Sequence, residues 1–309
     1  MLALYILIPL LLLTLLLLLL VYRKTFYVSG RERRSAELYK MPRGFGEMPI
    51  EMRRKVEALS ALPSERVFIT ARDGTRLSAR YYHVRDGAPL EIQCHGYRGM
   101  ALRDFCGSTP FALELGHNVL LIDQRAHGES AGRSISFGIR ERFDVLDWVE
   151  YAEGRFGDVP ILLVGISMGG ATVLMAGGEP LPPSVRGIIA DCPYSSPRNI
   201  ITSVIRMMHL SPAVAYPLVA TSARLFGRIS LSSCTAEEAA SRARVPMLLL
   251  HGEADRLVPC EMSRAILAAA PDRVTLYTFP GADHGMSFMS DPDRYAGAVR
   301  EFCAACLSA

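Results

Sequence analysis

Three residues that together could perform nucleophilic acyl transfer occur in the order serine, acid, histidine, each soon after a short apolar run. They are Ser167, Asp255 and His284, in the segments Gly165–Gly169, His251–Pro259 and Asp283–Gly285. A serine hydroxyl is a poor nucleophile at neutral pH unless a histidine accepts its proton and a carboxylate holds the imidazole in the correct tautomer. The pattern therefore predicts Ser167 as the nucleophile, Asp255 as the acid and His284 as the base.

Three other carboxylates compete with Asp255 for the role of the acid. Asp191 ends an apolar run, Glu253 lies two residues before Asp255, and Asp283 adjoins the histidine. A carboxylate next to the histidine in the chain reaches the far ring nitrogen only awkwardly. Asp255 is the preferred candidate, and Asp191 and Glu253 remain as alternatives.

The residues around Ser167 form a G-x-S-x-G pattern at the end of the apolar run Ile161–Val164. Flanking glycines permit a tight turn between a strand and a helix, and the helix N-terminus favours developing negative charge. A second glycine-containing turn, His95–Gly99, directly follows another apolar run, residues 90–94. We therefore predict that the backbone N–H groups of Tyr97 and Met168 form an oxyanion hole.

Two further polar features of this region are expected to support the loops rather than react. His95 is more easily explained as a buried histidine that braces its loop than as a general base. The charged loop Asp123–Ser130 is interpreted as a hydrogen-bonded network between neighbouring loops.

The elements that must position these residues follow from the pattern of apolar runs. Continuous apolar runs, typical of strands buried on both faces, alternate with helical stretches after residue 63. The predicted strands are 66–70, 76–82, 90–94, 118–123, 160–166, 185–191, 245–251 and 273–279, and the predicted helices are 110–115, 139–153, 169–177, 261–270 and 291–306. This alternation predicts an α/β fold with a mostly parallel twisted sheet, helices on both faces, and the chemistry at the carboxyl ends of the strands.

A long insertion separates two of the predicted strands, between Asp191 and Val245. It is rich in proline and apolar residues, so we predict a small helical cap at about 193–242. Met207 and Met208 are flexible apolar side chains that could line an adaptable substrate pocket. The alternative is that the apolar face of the cap only packs on the catalytic domain.

The N-terminal segment Leu2–Tyr22 contains thirteen leucines and no charged residue. As a helix it would be about 31 Å long, the thickness of a bilayer core. A cleaved signal peptide would need a basic start and a small-residue cleavage site, and this segment has neither. It is therefore predicted to be an uncleaved single-pass membrane anchor.

The charges that follow the anchor predict its orientation. Residues 23–60 contain ten basic and five acidic residues, and the seven cysteines of the chain are dispersed and odd in number. An excess of basic residues after the apolar segment favours a cytoplasmic C-terminal side, and free thiols favour a reducing compartment. The catalytic part is therefore expected to lie in the cytoplasm at the membrane.

Taken together, the motifs resemble those of the α/β-hydrolase superfamily, in particular the membrane-bound bacterial, Bem46-like type. The resemblance extends from about Leu62 to Leu307 and rests on His95-Gly96, the Asp123–Ser130 loop, Gly165-x-Ser167-x-Gly169, His251-Gly252-x-x-Asp255 and Asp283-His284-Gly285. It implies that Ser167, Asp255 and His284 are the nucleophile, acid and base of a serine hydrolase. Because the superfamily includes esterases, lipases, peptidases and thioesterases, the resemblance leaves the substrate open.

These observations divide the chain into an anchor (1–22), a basic juxtamembrane linker (23–61) and an α/β-hydrolase catalytic domain (62–309). The expected activity is cleavage of carboxylic esters, or thioesters, of small-molecule or lipid acyl substrates through an acyl-enzyme intermediate. The alternatives are a serine peptidase or amidase of the same fold and a non-catalytic membrane-tethered binding protein.

Motifs for metals, cofactors and nucleic acids are missing from the sequence. Cys303 and Cys306 form a C-x-x-C pair without a second pair, and no glycine-rich nucleotide-binding motif follows a strand. The net charge is only +3, and no basic stripe is interleaved with aromatic residues. We therefore expect no metal, no cofactor and no nucleic-acid partner.

Overall fold

The computed structural model describes residues 2–30, 33, 38 and 47–308. Its centre is an eight-stranded sheet with the order β1-β2-β4-β3-β5-β6-β7-β8. The strands, in chain order, are Glu65–Thr70, Arg76–Tyr82, Leu90–Cys94, Asn118–Asp123, Ile161–Ile166, Val185–Asp191, Met247–Gly252 and Val274–Phe279. All eight lie within two residues of their predicted bounds.

The sheet is parallel from β3 to β8, and only β1 and β2 are antiparallel to their neighbours. All residues of β3 and β7 are buried, as expected for strands covered on both faces. Parallel pairing brings the carboxyl ends of β3, β5, β7 and β8 to one edge. The predicted α/β fold is therefore confirmed.

The described part of the chain contains twelve α-helices. They are α1 (Leu2–Thr25), α2 (Ile50–Ala61), α3 (Ala101–Asp104), α4 (Ser108–Glu114), α5 (Glu141–Phe156), α6 (Met168–Gly177), α7 (Pro197–Met207), α8 (Pro212–Ser222), α9 (Ala236–Arg242), α10 (Glu261–Ala269), α11 (Ser287–Ser290) and α12 (Pro292–Leu307). Side chains of α5, α6, α9 and α10 join one apolar cluster on the sheet, and those of α2, α4 and α12 join another. Helices thus cover both faces.

The segment predicted to be a cap contains α7, α8, a π-helical turn at Ala223–Gly227, and α9. Helix α7 begins at Pro197, and the hydroxyl of Ser196 caps it by accepting a hydrogen bond from the Asn199 N–H (3.1 Å). Helix α9 differs from the rest, because Ala236 and Ala240 are fully buried in the cluster on the sheet. The part of the predicted cap that lies outside this cluster therefore consists of α7, α8 and the π-helical turn.

The segment predicted to be a basic linker makes extensive contacts with the rest of the protein. Helix α1 continues to Thr25, and Phe26 directly after it is fully buried. The backbone of Tyr27 forms an isolated antiparallel bridge with Ser134. Helix α2 buries Val56 and Leu59 completely. These few apolar residues attach both ends of the segment to the rest of the protein. The count of charges in the segment did not indicate them.

The glycine at the start of α6 is required by a close contact between two elements. A side-chain Cβ on Gly169 would collide with the backbone carbonyl of Cys94 at the end of β3. Gly154 in α5 has no other atom within 4 Å of the position of a Cβ. The two positions therefore form a matched pair for testing this packing.

We expect Gly169→Ala to lower the free energy of unfolding by about 3 kcal/mol, because backbone on both sides must move. Gly154→Ala should be neutral or stabilising by up to about 1 kcal/mol, since alanine is the better helix former. Urea unfolding of both variants measures these values. Equal stability of the two variants would contradict the close approach of α6 to β3.

Candidate active site

Ser167 occupies a sharp turn between β5 and α6. Its φ of 56° and ψ of −116° lie outside the regions that residues other than glycine prefer. The turn is fixed on both sides, because the Ser167 N–H donates to the Asp191 carbonyl (2.8 Å) and the Ser167 carbonyl accepts from the Ala171 N–H (3.0 Å). Such strain persists where the surroundings over-determine the backbone, as at an exposed nucleophile.

His284, in the loop after β8, connects the serine to the acid. Its Nε2 lies 2.9 Å from Ser167 Oγ, and its Nδ1 lies 2.7 Å from Asp255 Oδ2. An ionised carboxylate only accepts hydrogen bonds, so Nδ1 carries the proton and Nε2 is left to accept from the serine hydroxyl. The three predicted residues are therefore brought into one hydrogen-bonded chain.

Asp255 is held as a carboxylate by several donors. Burial by itself would raise its pKa, but hydrogen bonds from His251, His284 and the Val258 N–H outweigh burial and lower the pKa to about 2. Its Oδ1 accepts from the N–H groups of Leu257 and Val258 at 2.9 and 2.8 Å. The carboxylate is therefore charged throughout the neutral range and can stabilise an imidazolium.

His251 is a supporting residue to which the sequence analysis gave no role. It is fully buried, with Nε2 3.3 Å from Asp255 Oδ2 and 2.8 Å from the Val258 carbonyl, and Nδ1 2.7 Å from the Ser263 hydroxyl. Its only signal in the sequence was its place in the His251-Gly252 pair at the end of β7. It fixes the loop that presents the acid.

The rival acids have other partners. Glu253 accepts from the Thr278 hydroxyl (2.7 Å), and Asp283 pairs with Arg256 (2.6 Å). Asp191 is buried under the nucleophile loop, where burial raises its pKa to about 6 and Ser287 is its neighbour at 3.4 Å. Among these carboxylates, Asp255 is the one that contacts His284 Nδ1.

The loop after β3 lies directly beside Ser167. A Cβ placed on Gly96 would be 3.5 Å from the Cβ of Ser167, and Met168 is the first residue of α6. The neighbouring amides hold the loop, since the Gly96 N–H donates to Asp104 Oδ2 (3.0 Å) and the Arg98 N–H to His127 Nε2 (3.0 Å). The loop that contains Tyr97 and the start of α6 are thus adjacent, as an oxyanion hole requires.

His95 and the Asp123–Ser130 loop form the expected supporting network. His95 Nε2 accepts from the Gln124 N–H (3.1 Å), and its Nδ1 lies 2.8 Å from the Gly96 carbonyl. Arg125 is anchored below by Asp144 and Asp73, with Arg125 Nε 2.6 Å from the Asp144 carboxylate and Nη1 2.9 Å from that of Asp73. Both ring nitrogens of His95 are therefore occupied, which fits bracing rather than catalysis.

Met207 and Met208 lie apart from the hydrogen-bonded chain. Both are at the C-terminal end of α7, and about half of each side chain (51%) is exposed on the outer surface of the cap. The inner face of the same helix is apolar too, with Ile200, Ile201 and Ile205 in a buried cluster that also contains Met168. Ile200, Ile201 and Ile205 thus share a buried cluster with Met168, the residue after Ser167, whereas the two methionines are not part of it.

Two groups of possible metal ligands occur within the described residues: Glu91, His117 and Cys303, and Cys192, Asp255 and His284. In the first, Glu91 already pairs with His117 (2.9 Å). In the second, Asp255 and His284 hydrogen-bond to each other. Burial raises the pKa of the Cys192 and Cys303 thiols well above the ordinary value. In both groups, two of the three side chains are thus already hydrogen-bonded to each other.

Replacing the acid tests the assignment of Asp255. Asp255→Asn should lower the turnover rate of an ester by about three to four orders of magnitude, because the histidine loses the carboxylate that fixes its tautomer. Glu253→Gln, two residues away, should leave the rate nearly unchanged. Steady-state kinetics on both variants measure this, and wild-type rates in Asp255→Asn would assign the role to another carboxylate.

The raised pKa of Asp191 predicts that the stability of the protein depends on pH in a specific way. Its pKa in the folded protein is about 6 against an ordinary value of 3.8, so folding is penalised as the pH rises from about 4 to about 6. Asp191→Asn removes the penalty and should become more stable than the wild type over that range, by at most about 3 kcal/mol. Urea unfolding at several pH values measures the difference, with the exposed Asp158→Asn as control. If the free energy of unfolding changed with pH in the same way in Asp191→Asn and in the wild type, the raised pKa of Asp191 would be contradicted.

Comparison with known proteins agrees with this geometry. The alpha/beta hydrolase family model matches residues 94–298. The chain is 26% identical over 225 residues to the uncharacterized protein YqkD of Bacillus subtilis, covering 72% of this chain and 73% of that protein. It is 26% identical over 246 residues to the uncharacterized protein YfhR of Escherichia coli K12, covering 77% and 78%.

A solved structure of similar fold is the esterase Pf2001 of Pyrococcus furiosus. It superposes with a TM-score of 0.67 at 23% identity and covers 87% of this chain and 99% of its own. At that identity the superposition compares the fold alone, whereas the family model spans most of the sheet domain and all three motifs. The chain belongs to the alpha/beta hydrolase family.

Proposed function

We propose that the protein is a membrane-anchored serine hydrolase of the Bem46-like type that cleaves carboxylic esters, or thioesters, of acyl substrates through an acyl-enzyme on Ser167. The observation that supports this most directly is the chain from Asp255 through His284 to Ser167, with contacts of 2.7 and 2.9 Å. That arrangement activates a hydroxyl for attack on a carbonyl carbon.

In the first half-reaction, Ser167 Oγ attacks the carbonyl carbon while its proton passes to His284 Nε2. The carbonyl oxygen becomes an oxyanion, which accepts hydrogen bonds from the N–H groups of Met168 and Tyr97. The intermediate collapses, the bond to the leaving oxygen or sulfur breaks, and His284 Nε2 returns the proton to that atom. The acyl group remains on Ser167.

In the second half-reaction, water takes the place of the leaving group. His284 Nε2 accepts a proton from the water as its oxygen attacks the acyl carbon, and the same two N–H groups stabilise the second oxyanion. The proton then passes to Ser167 Oγ as the carboxylic acid departs. Asp255 remains ionised throughout and stabilises the imidazolium form of His284.

Esters are the first substrate class to test, because an esterase, Pf2001, is among the solved structures of similar fold. The buried isoleucines of α7 and Met168 form an apolar environment next to the nucleophile. Such an environment favours a hydrocarbon acyl group, since each buried CH₂ contributes about 0.8 kcal/mol.

The anchor is proposed from α1. Residues Tyr5–Thr25 are long and apolar enough to cross a membrane, and most of the leucines in this stretch are exposed. Arg23 and Lys24 at the end of the helix place basic charge on the side of the catalytic domain. Since basic residues favour the cytoplasmic side, we place that domain in the cytoplasm.

Loss of the nucleophile tests the proposed activity. The full-length protein in detergent should hydrolyse p-nitrophenyl esters, with kcat/KM rising over several added acyl carbons. Ser167→Ala should abolish both turnover and labelling by a fluorophosphonate probe without loss of stability, and the exposed Ser233→Ala should behave as the wild type. Faster cleavage of matched p-nitroanilides would favour an amidase, and an inactive, unlabelled wild type would favour a binding protein.

Membrane fractionation tests the anchor and its orientation. In an expressing bacterium the protein should sediment with membranes and resist extraction by alkaline carbonate, because about 31 Å of apolar helix is held in the bilayer. In spheroplasts the catalytic domain should be protected from added protease. Release by carbonate would contradict the anchor, and rapid digestion from outside would contradict the orientation.

A further inference from the structure

The outer surface of the cap is unusually apolar. Outside α1, the described residues include eleven large apolar side chains with substantial exposure. Seven of them lie in one stretch of the cap, residues 204–226. These seven, which we call the cap face, are exposed by 36–68%: Val204, Met207, Met208, Leu210, Val214, Leu225 and Phe226. An apolar patch of this kind on a soluble surface marks a contact with a protein or a membrane.

The charge of the same segment favours one of these two contacts. Residues 193–235 contain no aspartate or glutamate, and their four charged residues are all arginines: Arg198, Arg206, Arg224 and Arg228. Helix α8 has no charged residue at all. Apolar side chains among basic ones are typical of surfaces that lie on anionic lipid bilayers.

The position of α1 places the cap face at the depth of the membrane. Helix α1 packs against α8 and the π-helical turn, and the Tyr22 and Phe226 rings are 5.8 Å apart. Leu18 is only 6% exposed, whereas Leu17 and Leu19 on either side of it are 45% and 36% exposed. Leu18 lies four residues before Tyr22, about 6 Å deeper along the helix axis. The part of the cap that contacts α1 therefore reaches into the apolar length of the helix.

We propose that the cap face is inserted into the same bilayer leaflet that receives the C-terminal half of α1, with anionic lipid as its partner. This inference rests on the proposed membrane anchor. Helix α7 then has its isoleucines toward the cluster that contains Met168 and its two methionines in lipid. On this account Met207 and Met208 contact the membrane rather than a substrate pocket.

A fluorescent label on the cap face tests the insertion. The seven native cysteines are all buried, so a thiol-reactive environment-sensitive dye will label an introduced Val214→Cys selectively. The full-length protein is reconstituted in vesicles of phosphatidylcholine and phosphatidylglycerol that contain lipid with a nitroxide on its acyl chain. We expect the emission of the dye to shift to shorter wavelength and to be quenched by the nitroxide.

The matched control is Asp86→Cys, at a fully exposed site before β3, on the sheet edge opposite Ser167. Its dye should keep the emission it has in water. Water-like emission at position 214 in protein that floats with the vesicles would overturn the insertion and leave the anchor intact. A shift to shorter wavelength without quenching would mean that a second protein copy covers the face, which also overturns it. Failure to float would refute the anchor and this inference with it, and ester hydrolysis by the same sample tests the proposed activity separately.

A second, independent observation concerns the contacts between the end of α1 and the loop after β3. The Tyr97 hydroxyl donates to the Thr25 carbonyl (2.8 Å), and Arg98 Nη2 donates to the carbonyls of Lys24 (3.2 Å) and Tyr27 (2.9 Å). The last carbonyls of a helix have no partner within the helix and attract cations. Arg98 Nε also donates to the Tyr97 hydroxyl (3.0 Å), so the two side chains form one unit.

The other contacts of this loop hold it from the opposite side. The Tyr97 ring stacks on Phe137 at 5.2 Å, and Phe137 contacts the buried Phe26 at 5.6 Å. Arg98 has a φ of 49°, an uncommon value for a residue other than glycine, and its N–H is bonded to His127. Such a backbone conformation persists only where its surroundings fix it.

From these contacts we infer that the side chains of Tyr97 and Arg98 are positioning residues, which use the end of α1 to fix the oxyanion-hole backbone. The inference rests on the proposed function, because it assumes that the Tyr97 N–H stabilises the oxyanion. On this account α1 and the segment after it support catalysis in addition to anchoring the protein.

Binding of a transition-state analogue separates positioning from general stability. In full-length Arg98→Met and Tyr97→Phe we expect kcat to fall about tenfold, with KM nearly unchanged and with a parallel rise in the Ki of a trifluoromethyl ketone. Arg98→Lys should recover part of the loss. The control is Arg140→Met, since Arg140 binds the Gly227 and Arg228 carbonyls (2.7 and 3.1 Å) away from the loop.

Three results would overturn this assignment. The first is an unchanged Ki of the ketone in Arg98→Met, and the second is an equal effect in Arg140→Met. The third is a loss of unfolding free energy in the variants with kcat unaltered. Tight binding of the ketone by the wild type tests the proposed function separately, and its absence would refute that function and the positioning role together.

Discussion

The arrangement of the site depends on how closely the start of α6 approaches the end of β3. Gly169 leaves room for the Cys94 carbonyl, and Gly165 leaves room for the backbone of Gly169 itself. This double approach holds Ser167 at a positive φ above the sheet edge and brings it next to Gly96. Ser167, the loop after β3 and His284 can therefore meet because two residues lack side chains.

Asp255 and His284 reach this point through parallel pairing. Strands β5 to β8 pair in parallel, so the loops after β7 and β8, which contain Asp255 and His284, lie at the same edge of the sheet as Ser167. Donors from His251 and from backbone N–H groups keep Asp255 ionised despite its burial. Three segments that are distant in the sequence thus meet in one hydrogen-bonded chain.

Much of this could be predicted from the sequence, because buried parallel strands are continuous apolar runs and the reactive residues follow them. The missing parts are individual side-chain contacts, some of them between residues far apart in the chain. Arg98 binds carbonyls more than 70 residues away, and His251 supports Asp255 through the fold of its own loop. Neither contact leaves a periodic or compositional signal. The attachment of Phe26 and Leu59 was hidden in the same way, by the basic residues around them.

The central claim is that Ser167 is acylated during turnover, and mass spectrometry of the acid-quenched enzyme tests it most directly. The full-length protein is mixed with excess p-nitrophenyl ester, quenched within the first turnover, and digested. We predict that the peptide containing Ser167 gains the mass of the acyl group and that this adduct decays as the free acid appears. An enzyme that releases the acid without any adduct, or with an adduct on another residue, would contradict the account.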